Sequence, residues 1–158
     1  MNNVSIGVHY DSLGEVFNFP QSYHDPTFFS VLDRFLSFSE KKGFSYTFFI
    51  IGRDLINEKN ARQINGCARL GHEIGSHSWS HHVDLSLLSE KDIAREVGAS
   101  HEIIQDVTGK PPQGFAAPGW AWSEKLWDVL ISKQYRYDTS VFPSWLMIPQ
   151  YGFWIMNY

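Results

Sequence analysis

At 158 residues, with 43% hydrophobic and 16% aromatic side chains, the chain carries enough apolar material for one globular domain, residues 1–158, and is no disordered segment. A formal net charge of -4, from 13 basic and 17 acidic side chains with no long run of either, lacks the electrostatic footprint of a nucleic-acid or anionic-membrane binder. The single cysteine, Cys67, excludes an internal disulfide and a multi-cysteine zinc site; no apolar run reaches the ~18 residues of a membrane span, and "MNNVSIGVHYDS" has no signal-peptide pattern, so a cytoplasmic location is expected.

Residues 4–10, "VSIGVHY", alternate apolar with small or polar side chains and predict a first strand. Phe28, Val31, Leu32, Phe35 and Phe38 then recur at helical spacing, and Gly43 is placed to cap that helix. "SYTFFIIG" (45–52) is an aromatic and β-branched run of the buried-strand type, followed by a polar-faced helix over 54–70. "HEIGSH" predicts a short third strand. Ser89 with Asp92 resembles a capping box that opens a helix through Val107, which "TGKPP" stops because Gly109 caps it and two prolines cannot continue it. "GFAAP" predicts a fourth strand, "SEKLWDVLISKQ" a fourth helix and "YRYDTS" a fifth strand. Strands alternating with helices imply a parallel α/β sheet or barrel.

In such folds the active site lies at the carboxyl ends of the strands. Asp11 follows the first strand, His77 and His81 the third, Pro118 and Trp120 the fourth, and Asp138 to Ser140 the fifth, so the unusual residues share one predicted rim. Four of the seven histidines, His72, His77, His81 and His82, fall within "GHEIGSHSWSHH". His77 and His81 are spaced so that one turn sets two imidazoles side by side, as metal ligation requires. A catalytic zinc usually takes a third protein ligand, and Asp11 is the best-placed carboxylate. His72 enters its strand from the far end, and His82 reads as a flanking or surface residue.

"GHEIGSHSWSHH" resembles the second motif, H-[ST]-x-x-H, of the NodB-homology polysaccharide deacetylases, carbohydrate esterase family 4. "YTFFIIG" looks like that family's second-strand signature, "GFAAPGWAWS" stands in the place of the third motif, and "YRYDTSVFP" looks like the fourth. The resemblance runs in order along essentially the whole chain. It implies a distorted (β/α)7-type barrel, incomplete here at its C-terminus, holding a divalent metal, usually zinc, on one Asp and two His. The implied reaction is hydrolysis of an N-acyl group from an amino sugar of a cell-wall or surface polysaccharide.

Two registers are open for the first motif. Against T-F-D-D, Asp11 would be the base and Ser12 would stand at a ligand position; against the D-x-D form of a subgroup, Asp11 becomes the ligand and His9 takes the base position. The second is preferred because "APGWAWS" also departs toward the Arg-less, Trp-containing form of that subgroup, with Ala116 in place of Arg. His9 as a plain polar residue replacing a lost carboxylate stays open. Carried over residue by residue, the resemblance implies His77, His81 and Asp11 as metal ligands and Gly119 as backbone donor to the oxyanion. It also implies Trp120 and Trp122 as a sugar or acyl platform, and Asp138 as a catalytic-site residue that orients its neighbours. The fifth-motif His has no counterpart, since no histidine follows His101. An incomplete barrel also raises association with another copy as an expectation. The alternatives are a catalytically impaired member that keeps metal and glycan binding, and hydrolysis of a formyl or ureide amide.

Overall fold

The computed structural model describes residues 6–16, 19–20 and 23–140. Five strands, β1 (Gly7–Tyr10), β2 (Thr47–Ile50), β3 (Glu73–Ser76), β4 (Gly114–Phe115) and β5 (Tyr137–Asp138), pair in parallel in their sequence order and curl into a half-barrel. A short helix, α1 (Leu13–Val16), follows β1, and helices on the outer face make the crossovers: α2 (Leu32–Lys42), α3 (Glu58–Arg69), α4 (Glu90–Thr108) and α5 (Glu124–Ser132). No helix among the described residues is long and apolar enough to cross a membrane.

Strand alternation sorts the side chains. Tyr10, Phe48, Ile50 and Ile74 point outward and pack with Leu32, Ile64, Cys67 and Ile104 from the helices, while Phe115 joins Ile93, Val97, Leu126, Leu130 and Tyr135 in a second cluster. Burying one such side chain contributes about 1.5–3 kcal/mol, so these two clusters are what hold the helices to the sheet. Cys67 is buried in the first of them as a free thiol.

The inner face is built differently, by setting large rings over glycines. A Cβ on Gly75 would come 2.6 Å from the Phe49 ring, and one on Gly114 would come 2.3 Å from that of Tyr137. Below them Glu73 accepts from the Thr47 hydroxyl at 2.9 Å and the Tyr137 hydroxyl at 2.7 Å.

Helix ends follow the expected chemistry, with local departures. Gly43 (φ 70) and Gly109 (φ 75) cap α2 and α4 in the left-handed conformation, and the Ser89 hydroxyl accepts from Asp92 N–H at the start of α4. The helix expected from residue 54 is instead a 3₁₀ turn, Gly52–Ile56, followed by α3, because extended Asn57 caps the N-terminus by accepting from Lys59 N–H at 3.0 Å. A π-helical turn, Thr27–Val31, leads into α2. The strand expected over 114–118 pairs only at Gly114–Phe115, since Pro118–Trp120 forms a 3₁₀ turn with Gly119 at φ 63.

Candidate metal centre

Asp11 lies just past the end of β1. His9 and Asp11 share the inner face with Gly7, two and four residues back, so strand alternation aims both side chains into the half-barrel. Ser12 turns the other way: its hydroxyl donates to the Asp54 carboxylate at 2.8 Å and it is buried there.

His77 extends the inner-face positions of β3, and its backbone N–H donates to the Ile50 carbonyl at 2.9 Å. Its Nδ1 bonds the Ala116 carbonyl. A carbonyl only accepts, so Nδ1 carries the proton and the lone pair of Nε2 faces Asp11. After His77 the chain makes a tight turn, with Ser78 at φ 64 and His81 at φ 59, both in the left-handed region that non-glycine residues avoid. Gly52 N–H donates to the Ser78 carbonyl at 2.9 Å, Arg53 N–H to the Trp79 carbonyl at 3.0 Å, and His81 N–H to the Ser78 hydroxyl at 3.2 Å. Together these bonds return His81 to the side of His77.

The result is a convergence of three donors. Nε2 of His77 is 3.6 Å from Oδ1 of Asp11, Nε2 of His81 is 3.5 Å from Oδ2, and the ligand-type atoms of all three lie within 4.8 Å of one another. Those spacings are loose for hydrogen bonds, but three donors each about 2.1 Å from a tetrahedral ion would stand about 3.4 Å apart. Oδ1 of Asp11 is shut off from solvent without a hydrogen-bond partner among the described residues. Burial drives the His77 imidazole down to about 4 against the pull of Asp11, so at neutral pH it is an uncharged ring offering a lone pair to a carboxylate. Burial alone would raise Asp11; the facing imidazoles of His81 and His77 outweigh it and hold the carboxyl below its ordinary range. A lone pair and an anion aimed at one point suit a divalent cation, and the donor set of two imidazoles and one carboxylate fits one.

The other expected residues fall around this centre. The His9 ring stands 4.5 Å from the His77 ring and 6.2 Å from that of Trp120. Partial burial lowers its imidazole, with Asp11 pulling the other way. Trp120, at φ 53, is 56% exposed, and the Trp122 ring packs against Trp127 at 6.2 Å. Asp138 is set further back: it accepts from Ser140 N–H and hydroxyl, and that hydroxyl accepts from Ala117 N–H at 2.7 Å, tying β5 to the loop that carries Gly119. His72 stays apart, buried with its Nδ1 accepting from Tyr46 N–H at 3.0 Å, and His82 is exposed.

Sequence reasoning missed Glu96. It is buried in α4 and accepts from both the N–H (2.9 Å) and the hydroxyl (2.8 Å) of Ser80, inside the turn between the two histidines. It shares the buried stripe of α4 with Ile93, Val97, Ser100 and Ile104, but its charge hides that from the sequence alone.

The family model described as "Polysaccharide deacetylase" matches residues 22–137. The peptidoglycan deacetylase of Helicobacter pylori is 30% identical over 112 residues, 70% of this chain and 36% of that protein. A family 4 acetyl xylan esterase from Clostridium thermocellum, solved in complex with a cobalt ion, superposes with TM-score 0.59 at 28% identity, over 63% of this chain and 48% of that one. A CE4 family pseudoenzyme from Bacillus anthracis superposes with TM-score 0.61 at 24% identity, over 65% of this chain and 36% of that one, a likeness of fold alone. The chain spans about a third of the length of the curated relatives it matches. With the half-barrel, the histidine turn and the matched span in agreement, this chain belongs to the polysaccharide deacetylase family.

Proposed function

We propose that the protein is a metal-dependent hydrolase that removes an N-acyl group, acetyl in the first instance, from an amino sugar of a cell-wall or surface glycan. The observation that carries this is the convergence of Asp11, His77 and His81 at the carboxyl ends of β1 and β3. These three are the ligands, and zinc is the resident ion. When bound, a divalent cation supplies Lewis acidity at the acyl carbonyl and makes water a nucleophile near neutral pH.

His9 is the base. Its lowered pKa leaves the ring neutral and able to take a proton from water, and its place beside His77 and Trp120 puts it at the mouth of the centre. The oxygen of water bonds to the acyl carbon, the carbon–nitrogen bond breaks, and the imidazolium returns its proton to the departing nitrogen. The products are a free amine and a carboxylic acid. Gly119 N–H donates to the oxyanion that develops on the acyl oxygen. Trp120 and Trp122 present ring faces to the sugar, and Asp138 with Ser140 keeps the Gly119 loop in register. The peptidoglycan deacetylase among the relatives supports a cell-wall glycan as substrate.

Metal analysis of the purified protein is expected to find about one divalent ion per chain, lost in Asp11→Ala and His77→Ala. Finding none would sink the reading. Acid released from N-acetylglucosamine oligomers, assayed as acetate and as formate from the N-formyl analogue, identifies the acyl group. His9→Ala is expected to lower kcat by about 10²–10⁴-fold with metal content intact. A second reading, metal and glycan binding without turnover, is favoured by one observation: a histidine and an alanine, His9 and Ala116, stand where the family pattern has a carboxylate and an arginine. It predicts a full complement of metal and no acid release.

A further inference from the structure

We infer that α4 is the jig of the metal centre, with Ser100 and Glu96 as positioning residues that fix His77 and His81 through the serine immediately before each. Ser76 Oγ donates to Ser100 Oγ at 2.9 Å, and Ser80 is held by Glu96 through its N–H at 2.9 Å and its hydroxyl at 2.8 Å. Residues four apart on a helix share one face. Glu96 and Ser100 therefore form a pair of anchors one turn apart, and the two residues they grip, Ser80 and Ser76, are also four apart and each directly precede a candidate ligand. The inference rests on the ligand assignment proposed above.

Three observations make this more than incidental packing. First, the gripped segment is strained: Ser78 and His81 have positive φ, a conformation unfavourable for an L-residue that persists only where the surroundings impose it. Second, Glu96 is a 7% exposed carboxylate with no cation in ion-pair reach among the described residues. Ile93, Val97 and Ile104 already anchor the helix to the two cores, so packing alone would be served better there by an apolar side chain. Third, Gly52 fills the space between the helix and the turn. Its N–H holds the Ser78 carbonyl at 2.9 Å, and a Cβ on it would come 2.8 Å from the Ser100 Cα and 2.9 Å from the Trp79 ring, so no room is left there for the turn to shift toward α4.

The test is Zn²⁺ affinity of the folded, metal-stripped protein, measured by chelator competition, together with the visible spectrum of the Co²⁺ form. Glu96→Ala is expected to weaken Zn²⁺ binding by about 10–100-fold, as loss of a ligand's supporting contact does, and to change the Co²⁺ bands. Glu96→Gln is the rescue: its carbonyl can accept from Ser80 N–H and its amide can donate to the hydroxyl, so affinity should stay within about threefold of wild type. Ile104→Val, in the core of the same helix, controls for stability; it should lower the melting temperature and leave affinity unchanged. If Glu96→Ala does not fold, Ser80→Ala, which removes only the hydroxyl arm, takes its place with an expected loss of about three- to tenfold. Variants that bind as tightly as wild type overturn the jig and leave the ligand assignment standing. A wild type that binds no metal brings down both.

Discussion

Gly119 sits at φ 63, and a Cβ there would come 3.1 Å from the Val83 carbonyl oxygen. Replacement by alanine meets both a strained backbone and a crowded neighbour. Gly119→Ala is therefore expected to cost about 1–2 kcal/mol in chemical denaturation and to lower kcat more than it raises KM, because it displaces the N–H proposed to meet the oxyanion. His77 and His81 were legible in the sequence because two like donors at a turn's spacing carry a geometric meaning in themselves. The orientation of Asp11 was legible too, through the alternation of Val8 and Tyr10 with Gly7, His9 and Asp11. Glu96 was not, because a charged residue inside a helix reads as solvent-facing until the packing of that helix is known.

Among the elements, β2 and β3 are coupled by the fit of one ring over one missing side chain. Gly75→Ala would drive a methyl to 2.6 Å from Phe49 and is expected to cost about 1–3 kcal/mol as overpacking. Phe49→Leu alone opens a void and also destabilises. Combined, the two should cost less than their sum by about 1 kcal/mol in a double-mutant cycle; strict additivity would show that the ring and the glycine do not share this space. The order of strands and helices was legible because the hydrophobic period switches cleanly between them. The short extents of β4 and β5 were not, nor were the 3₁₀ and π turns. Where Asn57 caps and where Pro118 turns the chain depend on which neighbours the backbone meets.

For the whole molecule, acid should act through buried histidines before it acts through carboxylates. Burial lowers His72, His77 and His101 below their ordinary 6.5, with His77 at about 4. Between the folded and unfolded values the unfolded chain binds more protons. Stability of the metal-free protein is therefore complete above about pH 6.5 and declines as pH falls toward 4, by up to about 1.4 kcal/mol per pH unit from His77, with His72 and His101 acting in the same direction. Denaturant midpoints measured across that range check this. His72→Gln should flatten the curve, because protonating His72 takes away the lone pair that accepts from Tyr46 N–H; an unchanged slope would exclude His72 from the effect.

Among the described residues each strand of the half-barrel pairs only with its neighbours in the sequence, so this sheet can form in the order in which the chain is synthesised. Asp11, His77 and His81 are all present once β1 to β3 have paired, whereas Glu96 and Ser100 emerge up to about 20 residues later, some 1–4 s at ordinary elongation rates. The earliest form of the centre is thus one with its three donors gathered and no helix yet behind them. An ion captured at that moment would be held loosely and could exchange, and the docking of α4 would end that interval.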